Sequence, residues 1–226
     1  MTAQAFISAL ADVQMPDVFN PYSEQCSQHD RQDAPACRRA NLEMFLHAAI
    51  RERVDTIWIA RDLGYRGGRR TGVPLTDEVH LESISRLFGG LAVARATVGP
   101  AVAERTAAVI WRVIAQINQP VFLWNVFPFH PHEPGEPMSN RCHTRDEREN
   151  TKRFLLALLE MLQPRRVIAI GRDAQLALLE LDIAVTPVRH PSYGGQTEFI
   201  GGVFSLYGMK EADLKAQSSL FSSGAG

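Results

Sequence analysis

Apolar residues recur at helical spacing in some stretches of the chain and bunch into short runs in others, and the two patterns alternate. In residues 36–53 the apolar positions Leu42, Phe45, Leu46, Ala49 and Ile50 share one helical face, with charges between them. Residues 100–117 repeat the pattern through Val102, Ala103, Thr106, Val109, Ile110, Val113 and Ile117. A third long helix runs from Thr144 to about Leu162, opened by a capping box of Thr144 with Glu147 three residues on. Shorter helices are expected over 4–14, 77–88 and 174–181, and a last element over 199–207. Between them lie short apolar runs with strand character, at 56–60, 120–124, 166–170 and 185–189. Strands separated by helices imply parallel pairing, with right-handed crossovers and helices on both faces. The expected fold is α/β: a three-layer α/β/α sandwich around a central four-stranded, mainly parallel sheet. Residues 1–215 form one domain in this reading, and 216–226 are a disordered tail.

Parallel strands bring their carboxyl ends to one edge, where open α/β sheets bind ligands. Three of the four runs end in a distinctive polar residue: Asp62, Asn125 and His190. The first run opens into a loop with four glycines (Gly64, Gly67, Gly68, Gly72) and four arginines (Arg61, Arg66, Arg69, Arg70). Glycine lets backbone approach a ligand closely, and arginine offers a planar, permanently charged fork for phosphate. The second run leads into a proline-rich loop reaching about His143, a length associated with function or disorder.

Composition narrows the chemistry. A formal net charge of −1 excludes a uniformly basic nucleic-acid binder, although 24 cationic residues can still be gathered on one face. Three cysteines, Cys26, Cys37 and Cys142, supply neither a disulfide framework nor a four-cysteine metal or iron–sulfur site. His130, His132 and Glu133 form an HxHE pattern without further nearby ligands, so no metal site is expected. The first residues lack a signal peptide's basic and apolar regions, and no apolar run is long enough to span a bilayer. A cytoplasmic protein without membrane contact is expected.

The ordered trio resembles the uracil-DNA glycosylase superfamily. ARDLGY (60–65) is similar to the family's first motif, placing Asp62 at its water-activating acid. FLWN, ending at Asn125, is similar to the strand whose terminal Asn reads the uracil edge, and HPS (190–192) to the second signature motif. NVFPFHPH…NR followed by RRVIAIGRDA is similar to the branch found in thermophiles. The resemblance implies a monomeric base-excision repair enzyme that takes DNA containing uracil, flips the nucleotide out, releases free uracil and needs no cofactor.

The residue chemistry agrees with that reading. Breaking the N-glycosidic bond leaves positive charge on the sugar and negative charge on the base. Asp62 stabilises the first and activates water; a neutral His190 donating N–H to uracil O2 stabilises the second. Asn125 offers one donor and one acceptor, matching N3–H and O4 of uracil. Arg61, Leu63, Gly64, Tyr65 and Leu75 are the further substrate-binding residues implied. Ser192, Tyr193, Arg66, Arg69 and Arg70 are those implied for DNA, and Arg141 could add a cationic contact.

The pattern also departs from the family's. Gly64 stands where a Tyr blocks the thymine methyl, and Leu75 falls at the spacing of the ring that stacks on uracil, leaving Tyr65, Phe127 or Phe129 to supply one. Tyr193, Gly194 and Gly195 replace the apolar wedge after HPS, so Tyr193 or Gln196 plugs the duplex. The rival readings are excision of another base (hypoxanthine or mismatched thymine), a non-catalytic DNA-binding module, and a small-molecule nucleoside hydrolase.

Overall fold

The computed structural model describes residues 1–209, so the expected tail lies outside the described residues. Along the chain run α1 (Ala3–Ala11), β1 (Val18–Phe19), α2 (Ala34–Arg51), β2 (Thr56–Ala60), α3 (Gly68–Thr71), α4 (Leu81–Leu87) and α5 (Arg105–Ile117). There follow β3 (Phe122–Asn125), β4 (His130–Pro131), α6 (Arg145–Leu162), β5 (Arg166–Ile170), α7 (Arg172–Leu179), β6 (Thr186–Val188) and α8 (Gln196–Leu206).

Every residue of β2 and β3 is buried, as continuous apolar strands covered on both faces must be. The four longer strands form one parallel sheet in the order β3-β2-β5-β6. Its register sets Ala60 beside Asn125 and Ile170 beside Val188, so the carboxyl ends form a common edge. Alternation assigns the faces. Phe122 and Trp124 point to the side where Phe45 of α2 stacks at 4.5 Å and Phe6 of α1 lies at 5.6 Å. Trp58, in register with Leu123, faces the other way and meets Phe199 of α8 at 6.1 Å. The expected α/β architecture is the one observed.

The capping box of α6 is present as read: Thr144 Oγ1 accepts from the Glu147 N–H at 3.2 Å, and the Glu147 carboxylate accepts from the Thr144 N–H at 2.6 Å. Elsewhere the boundaries move for physical reasons. α4 begins at Leu81 rather than 77, because Asp77 and Glu78 are buried acceptors, not exposed first-turn acids. Asp77 accepts the Glu104 N–H at 2.6 Å; Glu78 pairs with Arg70 at 2.9 Å and accepts the Val102 N–H at 2.9 Å. Those same bonds hold the backbone of Val102 and Glu104 outside a helix, so α5 starts at Arg105 and not at 100. α3 and the antiparallel β1–β4 pair, which ties Phe19 to His130, have no counterpart in the sequence reading.

Candidate active site

A cavity of about 490 Å³ opens at the carboxyl edge of the sheet, within the range of small-molecule sites. Asp62, just past β2, and His190, just past β6, are both on its wall. With them are Arg61, Leu63, Gly64, Leu75, Glu104, Arg141, Asp173, Ser192 and Tyr193. Residues far apart in sequence meet here because β2 and β6 flank β5 in one parallel sheet.

Asp62 is held between two donors. Arg61 Nε–H donates to Oδ2 at 2.6 Å, and His143 Nδ1 donates to Oδ1. Arg61 also reaches Asp173 at 2.6 Å, so one guanidinium bridges two carboxylates at the cavity mouth. Burial pulls the Arg61 pKa down, but Asp62 and Asp173 outweigh it and raise it above the ordinary arginine value. The side chain of Asp62 is only 6% exposed.

His190 is fixed from the opposite side. The Ser192 N–H donates to its Nδ1 at 3.2 Å and the Ser192 hydroxyl lies 2.7 Å from the same nitrogen. With Nδ1 accepting, the proton of the neutral ring sits on Nε2. Burial, and then the positive charges of Arg61 and Arg189, lower the His190 pKa to about 4, so the ring is neutral at physiological pH. Gly171 allows His190 its place: its φ is 88°, and a Cβ there would stand 3.1 Å from the His190 Cβ.

Asn125 is the exception among the three. It ends β3 level with Ala60, which is on the cavity wall, yet its own side chain is 0% exposed and not part of that wall. Neither its Oδ1 nor its Nδ2 has a hydrogen-bond partner. A buried polar atom left so costs about 1–3 kcal/mol.

Glu104 was not foreseen. Its carboxyl fills the space beside Gly64, where a Cβ would stand 2.6 Å from Oε1, and also abuts Gly67. Burial first, and then the charge of Asp77, push its pKa up to about 7 against the opposing pull of Arg66. No hydrogen bond from another described residue engages this carboxyl. Its signal in sequence was absent, since it precedes α5 and reaches the cavity only because Asp77 holds its backbone N–H.

Several expected contacts are corrected. Arg69 is 2% exposed: it stacks over Phe19 at 3.9 Å, donates to His130 Nδ1 at 2.9 Å and bonds the Pro137 carbonyl. Arg70 is 6% exposed and spent on Glu78. Neither is placed to touch DNA; both are the internal cations that the loop folds around. Arg66 is exposed. The Ser192 hydroxyl lies within hydrogen-bond distance of His190 Nδ1. Tyr65 is off the wall, its N–H donating to Asn140 at 3.1 Å. Phe127 and Phe129 are sealed in the core, so neither offers a stacking ring. Tyr193 is on the wall and 98% exposed, with φ at 51°. Arg141 is on the wall too, but paired with Glu147 at 2.6 Å. His130 is a structural latch, its Nε2–H donating to the Ser139 carbonyl at 2.8 Å.

No curated protein matches the sequence. Among solved structures, one described as wild-type SMUG2 from Pedobacter heparinus shares the fold, with a TM-score of 0.61 and 13% identity, covering 91% of this chain and 96% of that one. The family model described as the uracil DNA glycosylase superfamily matches residues 65–199, a span that begins just past Asp62 and contains Glu104, Asn125, His143 and His190. Parallel sheet, shared edge and matched sequence agree, and the chain belongs to the uracil DNA glycosylase superfamily.

Proposed function

We propose that this chain hydrolyses the N-glycosidic bond of deoxyuridine in DNA, releasing uracil and leaving an abasic site. The observation that carries the reading is that Asp62 and His190 line one cavity while coming from different strands. Cleavage needs a negative group at the sugar and a donor at the base, acting together. Asp62 faces the oxocarbenium-like sugar and orients the water that captures it. His190, neutral with its proton on Nε2, donates to O2 of the departing uracil and lowers the energy of the anion without carrying a charge of its own. The fixed Nδ1 contacts spare the ring any reorientation as the bond breaks.

The substrate nucleotide leaves the stack to reach this depth, as enzymes acting on a base require. Exposed Arg66, Arg172 and Arg189 supply phosphate contacts around the mouth, and Tyr193 fills the gap left in the duplex. Asn125 reads N3–H and O4 once the wall beside Ala60 gives way; pairing its unmet donor and acceptor favours that exchange. The protein acts as a monomer, in the cytoplasm and without a cofactor, in this reading.

One observation favours a second reading, excision of a different base. The gap at Gly64 holds the Glu104 carboxyl, a polar group in place of a steric block, and 490 Å³ accommodates more than a pyrimidine. Labelled duplexes carrying uracil, hypoxanthine or thymine opposite guanine, incubated with the protein and cleaved at abasic sites by alkali, separate the two. Strand scission at uracil alone is expected; scission only at another base overturns the uracil reading.

A further inference from the structure

His143 lies outside the three motifs, yet it is the second partner of Asp62. Its side chain is 7% exposed, and its ring packs on Phe127 with centroids 5.3 Å apart. The backbone on either side is anchored. Thr144 caps α6, and Arg141 is clamped to Glu147 while also donating to the His132 carbonyl at 2.8 Å and the Asp17 carbonyl at 3.1 Å. A helix start needs only the cap; the further bonds fix where one imidazole stands.

We propose that His143 is a positioning residue for the Asp62 carboxylate in base excision, a role that rests on the glycosylase reading above. A carboxylate bonded at one oxygen can still swing about its terminal torsion. Arg61 holds Oδ2, and His143 holds Oδ1, so the plane of the group is set. Each oxygen keeps a further acceptor site, enough for an attacking water. In the capture step the water oxygen bonds to C1′ of the sugar cation, one water proton passes to Asp62, and the uracil anion has already left with the glycosidic electron pair. A carboxylate displaced by even about 1 Å loses much of its rate advantage.

Three variants of the full chain test this on a uracil-containing duplex, under single-turnover conditions and in steady state. Asn places its Nδ2–H where His143 Nδ1–H stands; Gln reaches past it; Ala supplies nothing. His143→Ala is expected to lower kcat roughly ten- to hundredfold with KM within about twofold, as loss of a residue that orients a working group does. His143→Asn should recover most of that loss and His143→Gln should not. Circular dichroism melts establish that each variant is folded. Wild-type kcat in a folded His143→Ala, or equal rates for Asn and Gln, overturns the inference while leaving the glycosylase reading intact. A wild-type protein that releases uracil from no duplex overturns the reading and the inference together.

Discussion

Two kinds of polar side chain meet at the carboxyl edge of the sheet, and they differ in whether the protein satisfies them. Asp62 is bonded by Arg61 and His143, and His190 by Ser192. Glu104 has no hydrogen-bonding partner for its carboxyl among the described residues, and both amide atoms of Asn125 are unpaired. Groups that act on charge gain from being fixed beforehand, because a preset dipole costs no reorganisation when the bond breaks. Groups that recognise a ligand need free donors and acceptors to give it. In the proposed function, the pairing pattern assigns chemistry to Asp62 and His190 and recognition to Asn125 and Glu104 without reference to motif.

Substitutions on the two sides should fail in different ways. The largest effect is expected from Asp62→Asn, which removes the charge at the sugar: kcat should fall roughly a thousandfold with duplex affinity unchanged. A variant retaining full single-turnover rate would end the proposed mechanism. His190→Ala should cost about a hundredfold, again in kcat, and any loss of rate as the pH falls through about 4, where the wild-type ring takes up its proton, should be absent from the variant. The wild-type rate should therefore show no loss from His190 between pH 7 and 5; a rate that halves near pH 6.5 would contradict a neutral buried ring.

On the unpaired side the readout is preference. Asn125→Asp reverses one donor and should lower uracil excision about tenfold while raising relative activity on cytosine. Identical base preference in variant and wild type would remove Asn125 from recognition. Glu104→Gln should affect stability more than rate. The native carboxyl holds its proton up to about 7, against an ordinary 4.5, so the native state binds more protons than the unfolded chain in that window. Wild-type stability then falls as pH rises from about 5 through 7, by on the order of 2 kcal/mol. The variant lacks that slope. Melting curves at pH 5 and pH 8 check it, and parallel pH dependences would show Glu104 to be ordinary.

The sequence made legible what depends on strand ends. Asp62 and His190 were found because a parallel sheet must deliver its carboxyl ends to one edge, and α6 because a capping box is a local signal. Distance in the chain hid the rest. Arg69 and Arg70 sit in a glycine-rich loop that reads as phosphate-binding, but Phe19, His130 and Glu78 arrive from elsewhere and enclose them. His143 carries no periodicity and belongs to no motif; the clue was its place just ahead of the Thr144 cap, which pins it beside the edge. Asn125 was read as facing the ligand because it ends a strand, and strand position does not say what covers a side chain.

Tyr193 stands in water on a backbone bent into the left-handed region, a conformation costing a non-glycine residue roughly 1–2 kcal/mol. That cost is met once, when the chain folds. In the proposed reading the ring need not be extended anew at each nucleotide, so a molecule sliding along a duplex would test successive steps with the probe already out, its search speed freed from any loop rearrangement.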